Sequence, residues 1–129
     1  MKDIINAMRS LPDFIGSNGR DETDICSAEE ELNLKFSTDY RRYLKEIGLA
    51  CFDGHEITGI CASSRLNVTE VTQEERKRNA SIRPNMYVVE QANIDDVVIW
   101  QDHTGIVYQT IGDSAAQKIA ESLIDYLCD

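Results

Sequence analysis

The side chains here that could do chemistry are two histidines, four cysteines and a surplus of carboxylates. His55 lies between Gly54 and Glu56, and His103 follows Asp102. Imidazole beside a carboxylate suits a general base or a metal ligand. Neither histidine has a second ligand at metal-binding spacing, so turn or surface roles are expected for both. Asp53 with Glu56, and Asp95 with Asp96, could form carboxylate pairs. Such pairs do acid–base work only where a pocket drives their pKa values apart, so solvated turn acids are the plainer reading, with contacts to a basic partner the sharper one. Cys26, Cys51, Cys61 and Cys128 form no CxxC pair and read as free thiols acting as small apolar residues. No catalytic set, metal cluster or phosphate loop emerges, and no cofactor is expected.

Charge is more informative. The 129 residues include 13 basic and 23 acidic side chains, a net of −10. Such a surface repels phosphate backbones, which argues against nucleic acid as a partner, and it speeds capture of a basic one. The imbalance is uneven. Residues 84–129 hold one basic and eight acidic residues, a net of −7. This asymmetry nominates Glu90, Asp95, Asp96, Asp102 and Asp113 as the contact surface, with Asp53 and Glu56 as outliers. Arg76-Lys77-Arg78, preceded by Glu74 and Glu75, reads as a solvated helix face. Glu29, Glu30 and Glu31 read as capping and solubility residues. Trp100 is expected in the core, with an interface anchor as the alternative.

The elements that must position these residues follow from pattern. The length fits one domain, 1–129. Ile4, Ile5, Met8 and Leu11 predict a helix within 1–12, stopped by Pro12. Residues 12–24 read as loop. Ser27 with Glu30 matches a capping box for a short helix ending near Asn33. Ser37 caps the next helix, whose stripe is Phe36, Tyr40, Tyr43, Leu44 and Ile47, and Gly48 stops it. A strand is expected over 56–60 and a surface helix over 69–79. Strands over 86–90, 97–101 and 106–110 make an antiparallel meander within 84–111. Asp113 or Ser114 caps a final helix over 113–128. The pattern is α+β: an antiparallel sheet of about four to six strands flanked by helices. The start lacks the apolar core of a signal peptide, and no apolar run reaches the ~20 residues that span a bilayer, so a cytosolic chain with no membrane partner is expected.

Ile25, Glu29, Leu32, Phe36-Ser37, Tyr40, Leu44 and Gly48 stand at the spacing of a known signature. By it the chain resembles the SUKH superfamily, which includes the yeast Smi/Knr cell-wall regulator and many bacterial immunity proteins. The departure is Phe36-Ser37 where the family commonly has Leu-Pro. A looser likeness continues through Tyr87-Val88-Val89, Gly105-Ile106-Val107-Tyr108 and Ala120-Glu121-Ser122-Leu123. The resemblance implies a non-catalytic protein, a monomer or weak dimer. It would bind and neutralise a cognate polymorphic or contact-dependent growth-inhibition toxin, a nuclease with a basic surface. A scaffold or regulatory protein-binding module is the alternative that the eukaryotic branch implies.

Overall fold

Side-chain caps set where the helices begin. The computed structural model describes residues 3–92 and 94–128. Asp3 accepts the Ile5 N–H at 2.9 Å and starts α1 (Ile4–Arg9). Asp21 accepts the Asp24 N–H at 3.0 Å and starts α2 (Glu22–Leu32), which ends on Asn33 at φ 54°. Ser37 accepts the Tyr40 N–H at 3.1 Å and starts α3 (Thr38–Glu46). Asn67 accepts the Thr69 and Glu70 N–H groups and starts α4 (Val68–Arg78). A six-residue α5 (Leu123–Cys128) follows the last strand.

The strands are β1 (Ile15–Gly16), β2 (Ala50–Phe52), β3 (His55–Ile57), β4 (Tyr87–Gln91), β5 (Val97–Gln101), β6 (Val107–Ile111) and β7 (Gln117–Ala120). They form one sheet in sequence order, each antiparallel to the next. The α+β expectation holds, with seven strands in place of four to six.

Three local expectations change. Ser27 lies inside α2, so the Ser27–Glu30 pattern is not its capping box; Asp21 does that work, with Glu22 and Asp24 in the first turn. The 12–24 loop contains β1 and the start of α2. The helix expected over 113–128 is instead strand β7 and the short α5, because β6 would otherwise leave a row of backbone donors and acceptors unpaired.

Strand alternation divides the core between the two sheet faces. Tyr87, Val89, Ile99 and Val107 join Ile4, Met8, Ile25, Leu44 and Leu123 from α1, α2, α3 and α5. Val88, Val98 and Trp100 pack with Met86 and with Val71 of α4. Trp100 is only 1% exposed, and its Nε1–H donates to Thr110 Oγ1 at 3.0 Å, so it is core and not an interface anchor.

The signature residues form a clasp between α2 and α3. Ile25, Leu32, Phe36, Tyr40 and Leu44 are all buried. Glu29 is buried as well: its Oε2 accepts the Phe36 N–H at 2.9 Å and the Arg41 Nε–H at 3.2 Å. It stitches the two helices together and is neither a cap nor a solubility residue. Gly48 is required at φ +79°, where a Cβ would also meet the Asn18 carbonyl oxygen at 2.4 Å.

Ser37 replaces the proline of the common signature at a cost to neither backbone nor cap. Its φ of −66° suits either residue. Only serine, however, has the N–H that donates to Tyr87 Oη at 2.9 Å. Tyr87 in turn donates to Gln101 Oε1 at 2.7 Å, and Gln101 Nε2 donates to the Gly105 carbonyl at 3.0 Å. Ser37→Pro is therefore expected to destabilise by about 1–3 kcal/mol, since it removes this buried bond and the hydroxyl cap. A urea-melt midpoint unchanged by the substitution would contradict this.

Candidate functional site

In a meander the hairpin turns alternate between the two ends of the sheet. The β2–β3, β4–β5 and β6–β7 turns therefore share one end, and the β5–β6 turn lies at the other. That parity sorts the acids. Asp53, Asp95, Asp96 and Asp113, all exposed, occupy the first end, and Asp102 occupies the second.

At the first end a groove of about 470 Å³ runs between the end of α4 and two turns. Asp95, Asp96 and Asp113 line it, together with Ile94, Glu75 and Arg78. Asp53 shares the end without lining the groove. Asp95 and Asp96 are the central residues of a turn closed by the Val97 N–H donating to the Ile94 carbonyl at 3.0 Å. Both are left-handed, at φ 53° and 58°, as in a type I′ hairpin turn, where Asn-Gly is the stable choice. Two aspartates here carry charge at some cost in backbone strain.

The acidic end is held in place. The Gly112 N–H donates to the Asp96 carbonyl at 3.1 Å, joining the two turns. Asn79, the buried C-cap of α4, donates from Nδ2 to the Ser114 carbonyl at 2.8 Å. Helix and turns thus form one preorganised rim. The exposed hydrophobic side chain of Ile94 (67%) adds an apolar contact beside the charges.

The remaining nominated acids are engaged within the fold. Glu56 is half-buried and paired with Arg65 at 2.7 Å, and that guanidinium holds its carboxyl below the ordinary value. Glu90 is 3% exposed. Its oxygens accept from His55 Nδ1 at 2.7 Å and from Tyr126 Oη at 2.6 Å. A bulge between Val88 and Glu90 turns that carboxylate onto the α5 face. Burial first, and then the Glu90 carboxylate, push the Tyr126 phenol up. His55 stacks on Phe52 with ring centroids 5.4 Å apart, so it supports the β2–β3 hairpin and its link to α5. His103 is exposed in the β5–β6 turn, as its sequence context implies.

Asp102 is 4% exposed, accepts hydrogen bonds from Thr104 and from Tyr108 Oη at 2.9 Å, and forms a longer ion pair with Arg83 at 3.8 Å. Burial pushes its carboxyl up, but the Thr104 and Tyr108 hydrogen bonds and the Arg83 charge outweigh that and hold it below 3.8. The unfolded chain therefore binds a proton in acid more readily than the folded one. The stabilisation is present above the ordinary aspartate range and is lost progressively as the pH falls through that range toward the lower folded value. Asp102→Asn should flatten that part of the stability profile in acid melts, and an unchanged slope would contradict the assignment.

The basic run of α4 divides in the same way. Arg76 donates from Nη2 to the Pro84 carbonyl at 2.7 Å, Lys77 pairs with Glu74, and Arg78 lines the groove. Glu75 was hidden in the sequence by its polar neighbours. Its spacing from Val68, Val71 and Thr72 was the available signal that it shares their inward face. Among the described residues, no group of three or more His, Cys, Asp or Glu could hold a metal ion, and no helix is long and apolar enough to cross a membrane.

Comparison with known proteins matches this architecture. A crystal structure of a protein from Pseudomonas syringae pv. tomato superposes with a TM-score of 0.78 at 15% identity, covering 100% of this chain and 96% of that one. At that identity the likeness establishes the fold. A search of curated proteins finds no match. The family model described as SMI1-KNR4 cell-wall, SUKH_5, matches residues 1–129. The chain belongs to the SMI1-KNR4, or SUKH, family.

Proposed function

We propose that this protein is an immunity protein that binds a cognate toxin and neutralises it by covering a basic surface, that of a nuclease domain. The observation that carries the reading is the convergence of Asp95, Asp96 and Asp113 on one groove whose turns are fixed to each other and to α4. Exposed acids on a rigid rim suit a basic protein face, because steering brings the partner in and little side-chain order is lost on docking. A nuclease face that grips phosphates is itself basic, which makes it a fitting target. Family membership and the net charge of −10 point the same way. Asp53 extends the acidic end beyond the groove. Glu90, Asp102 and Glu56 act on the contact surface only through the fold they hold together.

Co-expression with the toxin domain encoded beside the gene tests the reading. Cells are expected to survive, and the two chains to leave a gel-filtration column as one complex. Continued killing with no complex overturns it.

A further inference from the structure

We propose that the groove between the end of α4 and the β4–β5 and β6–β7 turns receives one arginine side chain of the partner, with Glu75 as the buried anion that it meets. This rests on the acidic end being the partner-binding face and adds which group enters it.

Glu75 is 7% exposed. A carboxylate so enclosed ordinarily has a cation beside it or several N–H donors, since an uncompensated buried charge is costly. Among the described residues Glu75 has one donor: Gln91 Nε2, at 2.5 Å from Oε2. It forms no ion pair with any described Lys, Arg or His. Arg78 lines the same groove one turn further along α4 and still does not pair with it. The groove lining therefore carries four carboxylates, Glu75 enclosed and Asp95, Asp96 and Asp113 exposed, against the one guanidinium of Arg78.

The walls narrow the ligand further. Ile94 and Val97 give the stem of a long side chain an apolar surface to lie along, leaving its head among the acids. Lysine and arginine both have such a stem. Arginine is favoured because its guanidinium is more weakly hydrated and can bond two acceptors at once.

The full chain, isotope-labelled, is titrated with N-acetyl-arginine methylamide and separately with the citrulline counterpart, which has the same shape and no charge. The arginine probe is expected to move the amide signals of Gln91, Asp96 and Gly112, and citrulline is not. Glu75→Gln can keep the bond to Gln91 while losing the charge. It is expected to weaken the arginine probe by about tenfold or more and to raise Tm in the free protein, because a buried charge is removed. Equal responses to both probes, no response at tens of millimolar arginine probe, or a Glu75→Gln protein with unchanged affinity or lower Tm would each overturn the pocket. The titration needs no toxin, so it stands apart from the co-expression test. A toxin complex that forms normally with Glu75→Gln would remove the pocket and leave the immunity reading intact.

Discussion

Tyr40→Ala is expected to destabilise the protein by about 3–5 kcal/mol, the range for removing a large core ring. Tyr40 is fully buried, with ring centroids 5.1, 5.4 and 5.0 Å from those of Phe36, Tyr43 and Tyr87. The cavity left at the centre of that cluster could not close without moving α3 off the sheet. Tyr40→Phe separates ring from hydroxyl. The Tyr40 hydroxyl bonds the Thr58 carbonyl and Oγ1, but Tyr43 Oη also donates to that carbonyl, at 2.9 Å, and Thr58 Oγ1 donates to the Val88 carbonyl at 2.7 Å. Little is therefore left unpaired, and the Phe variant should lose only about 1 kcal/mol. Since a whole domain is worth about 5–15 kcal/mol, the Ala variant should sit close to its unfolding midpoint under mild conditions. Urea melts with equal slopes for all three proteins would make the comparison. An Ala variant within 1 kcal/mol of the parent would show that the cluster is not a principal support of the fold.

Neutralising Asp95, Asp96 and Asp113 together to Asn is expected to slow association with the toxin by about 10- to 100-fold at low salt, and less at high salt. Asparagine tolerates the left-handed backbone of the β4–β5 turn as well as aspartate does, so the rim should keep its shape. Lys77→Glu, on the exposed side of α4, is the matched control and should not slow binding. Stopped-flow association across a salt series reads both. An unchanged rate for the triple variant, or a larger loss for the control, would move the contact surface elsewhere.

Those two outcomes concern parts of the chain that differed in how plainly they could be read. The α3 helix was legible because its cap, its stripe and its glycine stop all agree. The start of α2 was not, since two cap patterns compete: Ser27 has its glutamate three residues later, but Asp21 comes first and its helix runs on through Ser27. The β7 strand was obscured because Ala, Gln and Lys favour a helix locally, and only the open flank of β6 decides otherwise. At the site, composition located the excess of acid but could not divide it. Glu90 and Asp102 look like their neighbours in sequence, and a bulge in one case and a tight turn in the other place them inside. Parity of the turns in the three-strand meander expected over 84–111 is itself enough to separate Asp102 from Asp95, Asp96 and Asp113; only the place of Asp53 at their end needed the strands that pattern did not show.

The sequential order of the strands bears on how such a protein can acquire new partners. The α2–α3 clasp meets Gln101 and the β5–β6 turn through Ser37 and Tyr87, while the acidic rim lies on turns at the opposite end of the same strands. Tips of hairpins carry few core side chains, so their residues can be exchanged with small effect on stability. A lineage could therefore rewrite what the rim recognises, one turn at a time, while the buried signature stays under constant selection for folding. Recognition and foldability would then drift at different rates within a single short chain.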